Sequence, residues 1–434
     1  MESKARFYLP AVFRAFQGFD VVDLREWRSK RHLEIVLEKN TERRHQCWRC
    51  GTQLGAQEGR YLVRAKHLRM MGWTVSVVFY REKRHCPCCK KIRSEQVEFL
   101  CPTSPHVTME LAWWLSRLSE ETSILAVSRL ESIDKKTCYE IDKFILTRLL
   151  QGYRIPKVTR IAVDEVYARS RQQMKEDETR DDLFLTVIVD LDTHRVIWVS
   201  QSRKKEALDE FFQLLGQKGC EQIRVVATDQ HRGYAASVEQ FCPNATVVWD
   251  RFHLVQQFNE ALNEDRKYEY EQIDPESKSA ERMAALMRGK YKYVFLTKSA
   301  NRSKTDQRHI DEVMQTNQKI AKLEIIKEHF HKLFDCENRD EAKIHMAEIY
   351  QWAYDASAWN IWRWISSIRE EPRFWNYFEF RVTTGLSEGT NRVIKGLKWQ
   401  AYGYKDMRYF ALKILQKAGY LNSRFHFQKL PLPA

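Results

Sequence analysis

The sequence has no apolar run near the roughly 20 residues that a membrane-spanning helix requires. The segment Met1–Arg14 is too charged and too interrupted for the apolar core of a secretory signal peptide. Cysteine is scarce, and ten residues in a chain of 434 do not form the disulfide framework of a small secreted domain. We therefore expect neither a membrane protein nor a secreted one, and the expected location is the cytoplasm.

The composition is that of a folded, basic protein of several domains. Hydrophobic residues make up 43% of the chain and aromatic residues 12%, which is enough for several cores and argues against disorder. A length of 434 residues predicts roughly two to four domains. The formal net charge of +14 is scattered along the chain, which favours a polyanionic partner such as nucleic acid. A basic enzyme without such a partner has the same composition.

Five of the ten cysteines lie between residues 47 and 89, with the spacing of a metal site. Two pairs have the two-residue gap of a zinc knuckle, Cys47 with Cys50 and Cys86 with Cys89. Four thiolates bind Zn²⁺ tetrahedrally and leave no open position, so we predict a structural zinc ribbon in an N-terminal domain over residues 1–101. Cys88 could replace a neighbour in the second pair, and His85 or Cys101 could substitute. A group of reduced, buried thiols is the alternative.

Residues 102–156 have the pattern of a helix-turn-helix domain. An apolar stripe precedes a short second helix, and a third helix is predicted to begin at Asp134, a good N-terminal cap. The exposed start of the third helix would bring four side chains to base edges in a DNA major groove: Lys135, Lys136, Thr137 and Tyr139. A three-helix packing unit without DNA contacts has the same pattern.

Two strand-like apolar runs in the centre of the chain each end on an acid. Ile161–Asp164 is the first run and Ile223–Asp229 is the second. The predicted order of elements is strand, strand, strand, helix, strand, helix, strand, which is the layout of a ribonuclease-H-like core over residues 157–253. Asp164 and Asp229 would lie at neighbouring strand ends, and carboxylate oxygens are the ligands that Mg²⁺ prefers. Alternatively, both acids merely cap loops.

Residues 254–381 are predicted to form an all-helical insertion within this core. The stretch is rich in aromatic residues, particularly from Trp352 to Tyr377, and most of these rings are expected to pack inside the insertion. Stacking of one of them on an unpaired base is the alternative.

The core is expected to resume over residues 382–434. Glu388, Asn391 and Lys395 fall on one face of a predicted helix, and Glu388 supplies a third acid. Basic residues of the same helix would track a phosphate backbone: Arg392, Lys395 and Lys398. The expected fold class is therefore α+β and multidomain, with a zinc ribbon and a helix-turn-helix followed by a ribonuclease-H-like α/β core that an all-helical insertion interrupts.

These motifs together resemble the ISL-three family of bacterial insertion-sequence transposases. The resemblance runs in chain order from Cys47 to about Leu415, and the motif around Glu388 is the most specific part of it. It rests on the two zinc knuckles and on Val163-Asp164-Glu165, Thr228-Asp229, Asp250-Arg251-Phe252-His253, Glu388-Gly389-x-Asn391-x-x-x-Lys395 and Ala401-Tyr402-Gly403-Tyr404.

The resemblance implies a DDE transposase whose catalytic triad is Asp164, Asp229 and Glu388, holding two Mg²⁺ or Mn²⁺ ions. It implies cleavage at the ends of the element and transfer of the 3′ ends to target DNA. The implied partners are double-stranded DNA, as terminal inverted repeats and as target, and further copies of the chain in a homodimer or larger synaptic complex. The implied location is the bacterial cytoplasm, at the nucleoid when DNA is bound.

Four residues near the triad have open roles: His231, Asp250, His253 and Asn391. His231 could contact phosphate or metal, or face solvent. Asp250 and His253 are expected to orient the metal ligands rather than to bind the metal directly. Two other functions share the sequence pattern. One is a structure-specific nuclease that cuts but does not join, and the other is a zinc-dependent DNA-binding regulator derived from a transposase.

Overall fold

The computed structural model describes residues 16–40, 45–47, 49–174, 176–272, 274–277, 280, 284, 291–382, 385–419 and 421. The chain divides into two compact units, one formed by Met1–Arg154 with Gly396–Ala434 and the other by Ile155–Lys395. Each unit combines a β-sheet with helices, so the fold is mixed α/β. None of the described helices has the length and apolar character needed to cross a membrane.

The described part of the first unit contains a seven-stranded sheet. Its strands are β1 (Phe19–Trp27), β2 (His32–Lys39), β3 (Gln57–Met70), β4 (Trp73–Cys86), β5 (Lys91–Ser94), β6 (Leu100–Cys101) and β7 (Ser104–Thr108). They pair in the order β1-β2-β4-β3-β7-β6, and β5 pairs with β4. Burial alternates along the middle of β3, where Val63 and Ala65 face the core and their neighbours face solvent. A tight turn at Met71 and Gly72, both at positive φ, joins β3 to β4.

The described helices of the first unit pack as one group. They are α1 (Met109–Glu121), α2 (Ile124–Glu131), α3 (Lys135–Gly152) and the C-terminal helix (Met407–Ala418). The predicted cap of the third helix is confirmed, because the Asp134 carboxylate accepts the backbone N–H of Thr137 at 3.1 Å. Asp142, buried on α3, accepts hydrogen bonds from Tyr409 and Lys413 of the C-terminal helix. These polar contacts join the C-terminal helix to α3.

The second unit contains a five-stranded sheet in its described residues. Its strands are β8 (Arg160–Tyr167), β9 (Phe184–Asp190), β10 (Arg195–Gln201), β11 (Val225–Thr228) and β12 (Thr246–Trp249). The order is β10-β9-β8-β11-β12, with β8, β9 and β10 antiparallel and β11 and β12 parallel to β8. The crossovers contain α4 (Lys205–Leu215), α5 (Gln217–Cys220) and α6 (Arg232–Phe241). Each predicted strand and helix of this region is present in the predicted order.

The described part of residues 254–381 is helical, as predicted. The helices are α7 (Arg251–Glu271), α8 (Tyr291–Leu296), α9 (Lys304–Thr316), α10 (Gln318–Leu333), α11 (Arg339–Asp355), α12 (Trp359–Ile368), α13 (Pro372–Trp375) and α14 (Tyr377–Phe380), and α15 (Gly385–Gln400) follows them. Aromatic rings hold them together: Phe258 of α7 stacks on Phe330 of α10 with ring centroids 3.9 Å apart, and Trp375 and Tyr377 are buried. Trp359 and Tyr354 are partly exposed but contact each other edge to face.

Candidate functional site

Asp164 and Asp229 occupy neighbouring positions on adjacent strands, but only Asp229 follows the end of its strand, because β8 continues past Asp164 to Tyr167. In the parallel pairing of β8 with β11, Val163 is opposite Thr228, so the two aspartates occupy the next step of both strands. Both side chains are only partly exposed, and the Asp164 side chain is 12% exposed. The strands therefore bring two carboxylates that are far apart in sequence to one edge of the sheet.

Asp250 lies at the same edge. Thr228 of β11 pairs with Trp249 of β12, and the Asp250 N–H donates to the Thr228 carbonyl at 2.9 Å. Its buried carboxylate accepts the Phe252 N–H at 3.0 Å and caps α7. Aspartates therefore lie at corresponding positions of three adjacent parallel strands, within β8 and directly after β11 and β12. The third of them, Asp250, also caps α7.

Three groups contact the Asp164 carboxylate. Its Oδ2 accepts the side-chain amide of Asn391 at 2.6 Å, and its Oδ1 accepts the Glu165 N–H at 2.7 Å. The Nε2 atom of His253 lies 3.7 Å from the same Oδ1 and 3.8 Å from Asp250 Oδ2. Burial raises the pKa of Asp164, but the contacts with His253, the Glu165 amide and Asn391 outweigh burial and hold that pKa below its usual value.

The acids around His253 favour the charged form of its imidazole. Its contact with Asp164 raises the pKa of the imidazole in spite of burial, and the negative charges of Asp250, Asp164 and Asp229 act in the same direction. The sequence left Asp250, His253 and Asn391 with open roles. In the structure Asn391 and His253 contact the Asp164 carboxylate, and Asp250 contacts His253.

Glu165 shows how strongly the acids at this edge repel one another. Burial, followed by the charge of Asp229, raises the pKa of Glu165 to about 7, although Arg203 Nη1 lies 3.3 Å from its Oε2 and opposes the shift. Carboxylates are hard oxygen donors, and a divalent cation would relieve this repulsion. The donor set at the strand ends therefore fits a hard metal ion.

The sequence pattern identified Glu165 only as part of a motif and did not identify Arg203. The available signal for Glu165 was its place beside Asp164 at the end of an apolar strand. Arg203 follows β10 in no distinctive pattern, and its contact with Glu165 spans 38 residues of chain. A local reading of the sequence does not reveal such a contact.

Glu388 lies in α15, but its side chain is outside the described part of the structure. The same helix carries Asn391, one turn later, to the Asp164 carboxylate. Arg392 and Lys395 on this helix are exposed, whereas Lys398 is half-buried, and burial lowers the pKa of its amine. The roles of Glu388 and of these three basic residues stay predictions.

His231 contacts Asp229 through its backbone. Its N–H donates to Asp229 Oδ1 at 2.9 Å, and its ring lies 4.8 Å from the Tyr234 ring. The ring Nδ1 is buried and has no hydrogen-bond partner among the described residues. Contact of His231 with phosphate or metal stays a prediction.

In the first unit the two cysteine pairs come together. Four sulfur atoms lie within 4.8 Å of one another, those of Cys47, Cys50, Cys86 and Cys89. The Cys50 sulfur is 3.6 Å from those of Cys86 and Cys89. Cys88 is exposed and outside this group. The set of four that the sequence favoured is therefore the one that the fold assembles.

Local backbone geometry shapes both knuckles. The Gly51 N–H donates to the Cys47 carbonyl at 2.9 Å, and Gly51 has a φ of +70°, which favours glycine. The Cys89 N–H points at the Cys86 sulfur at 3.4 Å. Hydrogen bonds from Thr52 lower the pKa of Cys50 to about 6, whereas contact with Cys50 raises the pKa of Cys89 to about 12. Crowded thiols of this kind fit a cation that stabilises thiolates, and four of them suit Zn²⁺.

The predicted DNA-reading positions on α3 differ in their surroundings. Lys135 and Lys136 are exposed, and Thr137 is half-buried. The Tyr139 hydroxyl donates to Asp406 Oδ2 at 2.7 Å, and its ring packs edge to face on Tyr409 at 4.7 Å. That hydroxyl is engaged within the first unit, and DNA contact by these four residues stays a prediction.

Comparisons with known proteins agree with these observations. The family model of the ISL-three DDE transposases, described as "Transposase", matches residues 161–414. The chain is 25% identical over 421 residues to the transposase for insertion sequence element IS1001 of Bordetella parapertussis, covering 92% of this chain and 95% of that protein. It is 32% identical over 114 residues to the transposase for insertion sequence element IS1557 of Mycobacterium tuberculosis (strain ATCC 25618 / H37Rv), covering 26% of this chain and 23% of that protein.

Proposed function

The chain belongs to the ISL-three family of transposases, and from that premise we propose that it binds the terminal inverted repeats of an insertion sequence, cleaves the element's ends and transfers the 3′ ends to target DNA. The observation that carries the proposal is the place of Asp164 and Asp229 on the parallel strands β8 and β11, each one residue beyond the last pair of the two strands. Asn391 of α15 supports it by contacting Asp164, because this contact joins the most specific motif to the strand-end acids.

The proposed catalytic domain is a ribonuclease-H-like core. Support comes from the second unit, where three antiparallel strands are followed by two strands parallel to the first. The proposed division is a zinc ribbon over residues 1–101, a helix-turn-helix over 102–156, the core over 157–253 and 382–434, and an all-helical insertion over 254–381. Of the last core segment, residues 396–434 fall in the first compact unit.

Asp164, Asp229 and Glu388 are the proposed ligands of two Mg²⁺ or Mn²⁺ ions. When bound, such ions lower the pKa of an attacking water or 3′-hydroxyl and stabilise the departing oxygen. The side-chain amide of Asn391 and the N–H of Glu165 each hold one oxygen of Asp164, which fixes the rotation of that carboxylate. His253, charged between Asp164 and Asp250, balances negative charge at the strand ends.

DNA is held in this proposal by the zinc ribbon, by the start of α3 and by the basic face of α15. The proposed contacts from α3 are those of Lys135, Lys136, Thr137 and Tyr139, and those from α15 are Arg392, Lys395 and Lys398. Phosphate contacts supply affinity and a few base contacts supply sequence choice. Paired element ends call for a homodimer or a larger synaptic complex, acting at the nucleoid in the bacterial cytoplasm.

The direct test is cleavage of a labelled duplex that carries the element's own terminal repeat, with Mg²⁺ or Mn²⁺. We expect Asp164→Asn and Glu388→Gln each to lower the cleavage rate by at least ~100-fold while DNA binding persists, because each removes a proposed metal ligand. Glu370→Gln is the matched control, since that carboxylate is 85% exposed. Cleavage by Glu388→Gln at the wild-type rate would remove Glu388 from the triad.

Two further outcomes separate the alternatives. Pre-cut ends that are bound but never joined to target DNA would identify a nuclease with the same core. Tight, zinc-dependent binding with no cleavage by any variant, wild type included, would identify a regulator.

A further inference from the structure

Two aromatic side chains near the end of α15 are almost fully exposed. Trp399 is 85% exposed and Tyr402 is 98% exposed, and both belong to the first unit. Tyr402 lies in the loop that joins α15 to the C-terminal helix. Burial of large aromatic side chains is favourable, so two exposed rings at the end of one helix indicate a binding surface.

The backbone at Tyr402 is unfavourable for a tyrosine. Its φ is +55°, and Gly403, the next residue, has a φ of +92°. The Gly403 N–H donates to the Lys398 carbonyl at 2.8 Å, which closes the C-terminal end of α15 in the usual left-handed manner. Glycine or asparagine adopts this conformation at little cost, whereas a tyrosine is strained there and gains no packing in return.

A cavity of about 580 Å³ lies beside this loop, wholly within the first unit. Such a volume is within the range of pockets that hold small ligands, roughly 300–1,000 Å³. Tyr402 lines the cavity and is exposed, so it lies at the mouth. Apolar and aromatic side chains form much of the wall, among them Ile124, Leu125, Leu397, Tyr404 and Tyr409.

The charge around the cavity is suited to an anion. Lys135 and Lys405 line the cavity and have no ion-pair partner among the described residues. Lys136 also lines it and forms a long ion pair with Glu140, at 3.9 Å. The acids of the lining are already engaged: Asp134 caps α3, and Asp406 accepts hydrogen bonds from Tyr139 and Lys143. The cavity therefore combines flat apolar walls with cationic groups that lack a counter-charge.

We propose that this cavity binds an unpaired base at the end of the element's DNA, with Tyr402 stacking on that base and the lysines contacting the flanking phosphates. The proposal rests on the DNA-transposase function given above. Stacking on an aromatic ring suits every base because each has a π-face, and a base extruded from a duplex needs a pocket of this kind. The strain at Tyr402 is then offset when the base binds.

The test is an equilibrium binding measurement on the full chain with no divalent ion added, so that cleavage plays no part. One probe is a duplex with a four-nucleotide single-stranded extension that contains 2-aminopurine, and the other is a blunt duplex with the same base paired. We expect the protein to quench the extension probe. Tyr402→Gly should weaken binding of that probe on the order of 5- to 150-fold and leave the blunt probe unaffected.

Two variants make the comparison specific. Tyr402→Phe keeps the ring and should keep both quenching and affinity. Tyr293→Ala removes a tyrosine that is 65% exposed in the second unit and should change neither. Because glycine relaxes the left-handed position, Tyr402→Gly is expected to fold as well as the wild type, which urea unfolding checks.

The proposal is overturned if Tyr402→Gly binds and quenches the extension probe as the wild type does, or if it weakens both probes equally. Failure of the proposed function looks different, because a chain that is not a DNA-binding transposase would bind neither probe, or would bind DNA and never cleave it with Mg²⁺.

Discussion

At the scale of single residues, Asn391 has a clear positioning role, which it exerts through the carboxylate of Asp164. It touches Asp164 at 2.6 Å and holds the oxygen that the backbone of Glu165 does not hold. We expect Asn391→Leu to lower cleavage by ~10- to 100-fold and to raise the Mg²⁺ concentration needed for half-maximal rate, because the carboxylate is free to rotate. Cleavage rates across a Mg²⁺ titration measure both effects.

Asn244→Leu is the matched control for this experiment. Its side-chain amide donates to the Glu221 carbonyl at 2.9 Å, away from the strand-end acids. An unchanged Mg²⁺ dependence in Asn391→Leu, equal to that of Asn244→Leu, would show that the contact with Asp164 does not position the site.

His67 makes the stability of the protein depend on pH. Burial lowers the pKa of its imidazole to about 4, from 6.5 in the unfolded chain. Between those values the unfolded chain binds a proton that the folded protein does not, so the free energy of unfolding falls as the pH drops from 6.5 to 4. This loss of stability is at most ~3 kcal/mol. Glu110 lies 4.0 Å from His67, and burial raises the pKa of its carboxyl. When Glu110 is ionised, its charge favours the protonated imidazole and reduces the loss.

Urea unfolding at pH 6.5 and pH 4.5 tests this expectation. His67→Asn should lose less stability over that interval than the wild type does. His106→Asn, at an exposed histidine, should lose as much as the wild type. Equal losses in all three proteins would remove His67 as a source of acid sensitivity.

At the scale of elements, the fold of the first unit separates the four clustered cysteines from Cys88. We expect one zinc ion per chain, because four sulfurs converge within 4.8 Å and Cys88 is not among them. Cys86→Ser removes a buried ligand and should abolish zinc binding and destabilise the first unit. Cys88→Ser should retain the ion. The zinc content of each variant after gel filtration measures which cysteines bind the ion. Loss of zinc from Cys88→Ser would mean that the ligand set is different.

Much of the element pattern was predictable because its causes are local. Each of these signals spans only a few residues: the cysteine spacing, the apolar runs that reach an acid and the good helix cap at Asp134. Tyr139 was predicted to read DNA because an exposed place at the start of a helix is all that its neighbours reveal. Its hydroxyl in fact meets Asp406, 267 residues later in the chain, and no local pattern carries that information.

At the scale of the whole molecule, the two units interleave along the chain. Residues 396–434 belong to the same unit as residues 1–154, and the division falls inside α15. Lys413 and Asp142, which join the C-terminal helix to α3, are 271 residues apart. The sequence predicted the helix that begins after Asp134, but the choice of its packing partner depends on buried charge pairing that only the folded chain reveals.

The net charge of +14 also acts on the whole molecule, and it predicts that the proposed affinity for DNA depends on salt. Each lysine that contacts a phosphate adds close to one unit to the slope of log affinity against log salt, by release of counterions. Lys135→Ala combined with Lys136→Ala should therefore lower that slope by ~2. Lys218→Ala removes an exposed lysine of α5 and should leave the slope unchanged.

Duplex affinity measured across a salt series gives these slopes directly. A scattered charge surplus attracts any polyanion, so it predicts the same small loss wherever a lysine is removed. A bound DNA held at the start of α3 predicts a loss confined to Lys135 and Lys136. A loss of slope that is equal per lysine removed in the double variant and in Lys218→Ala would leave only the diffuse attraction and would move the DNA contacts away from α3.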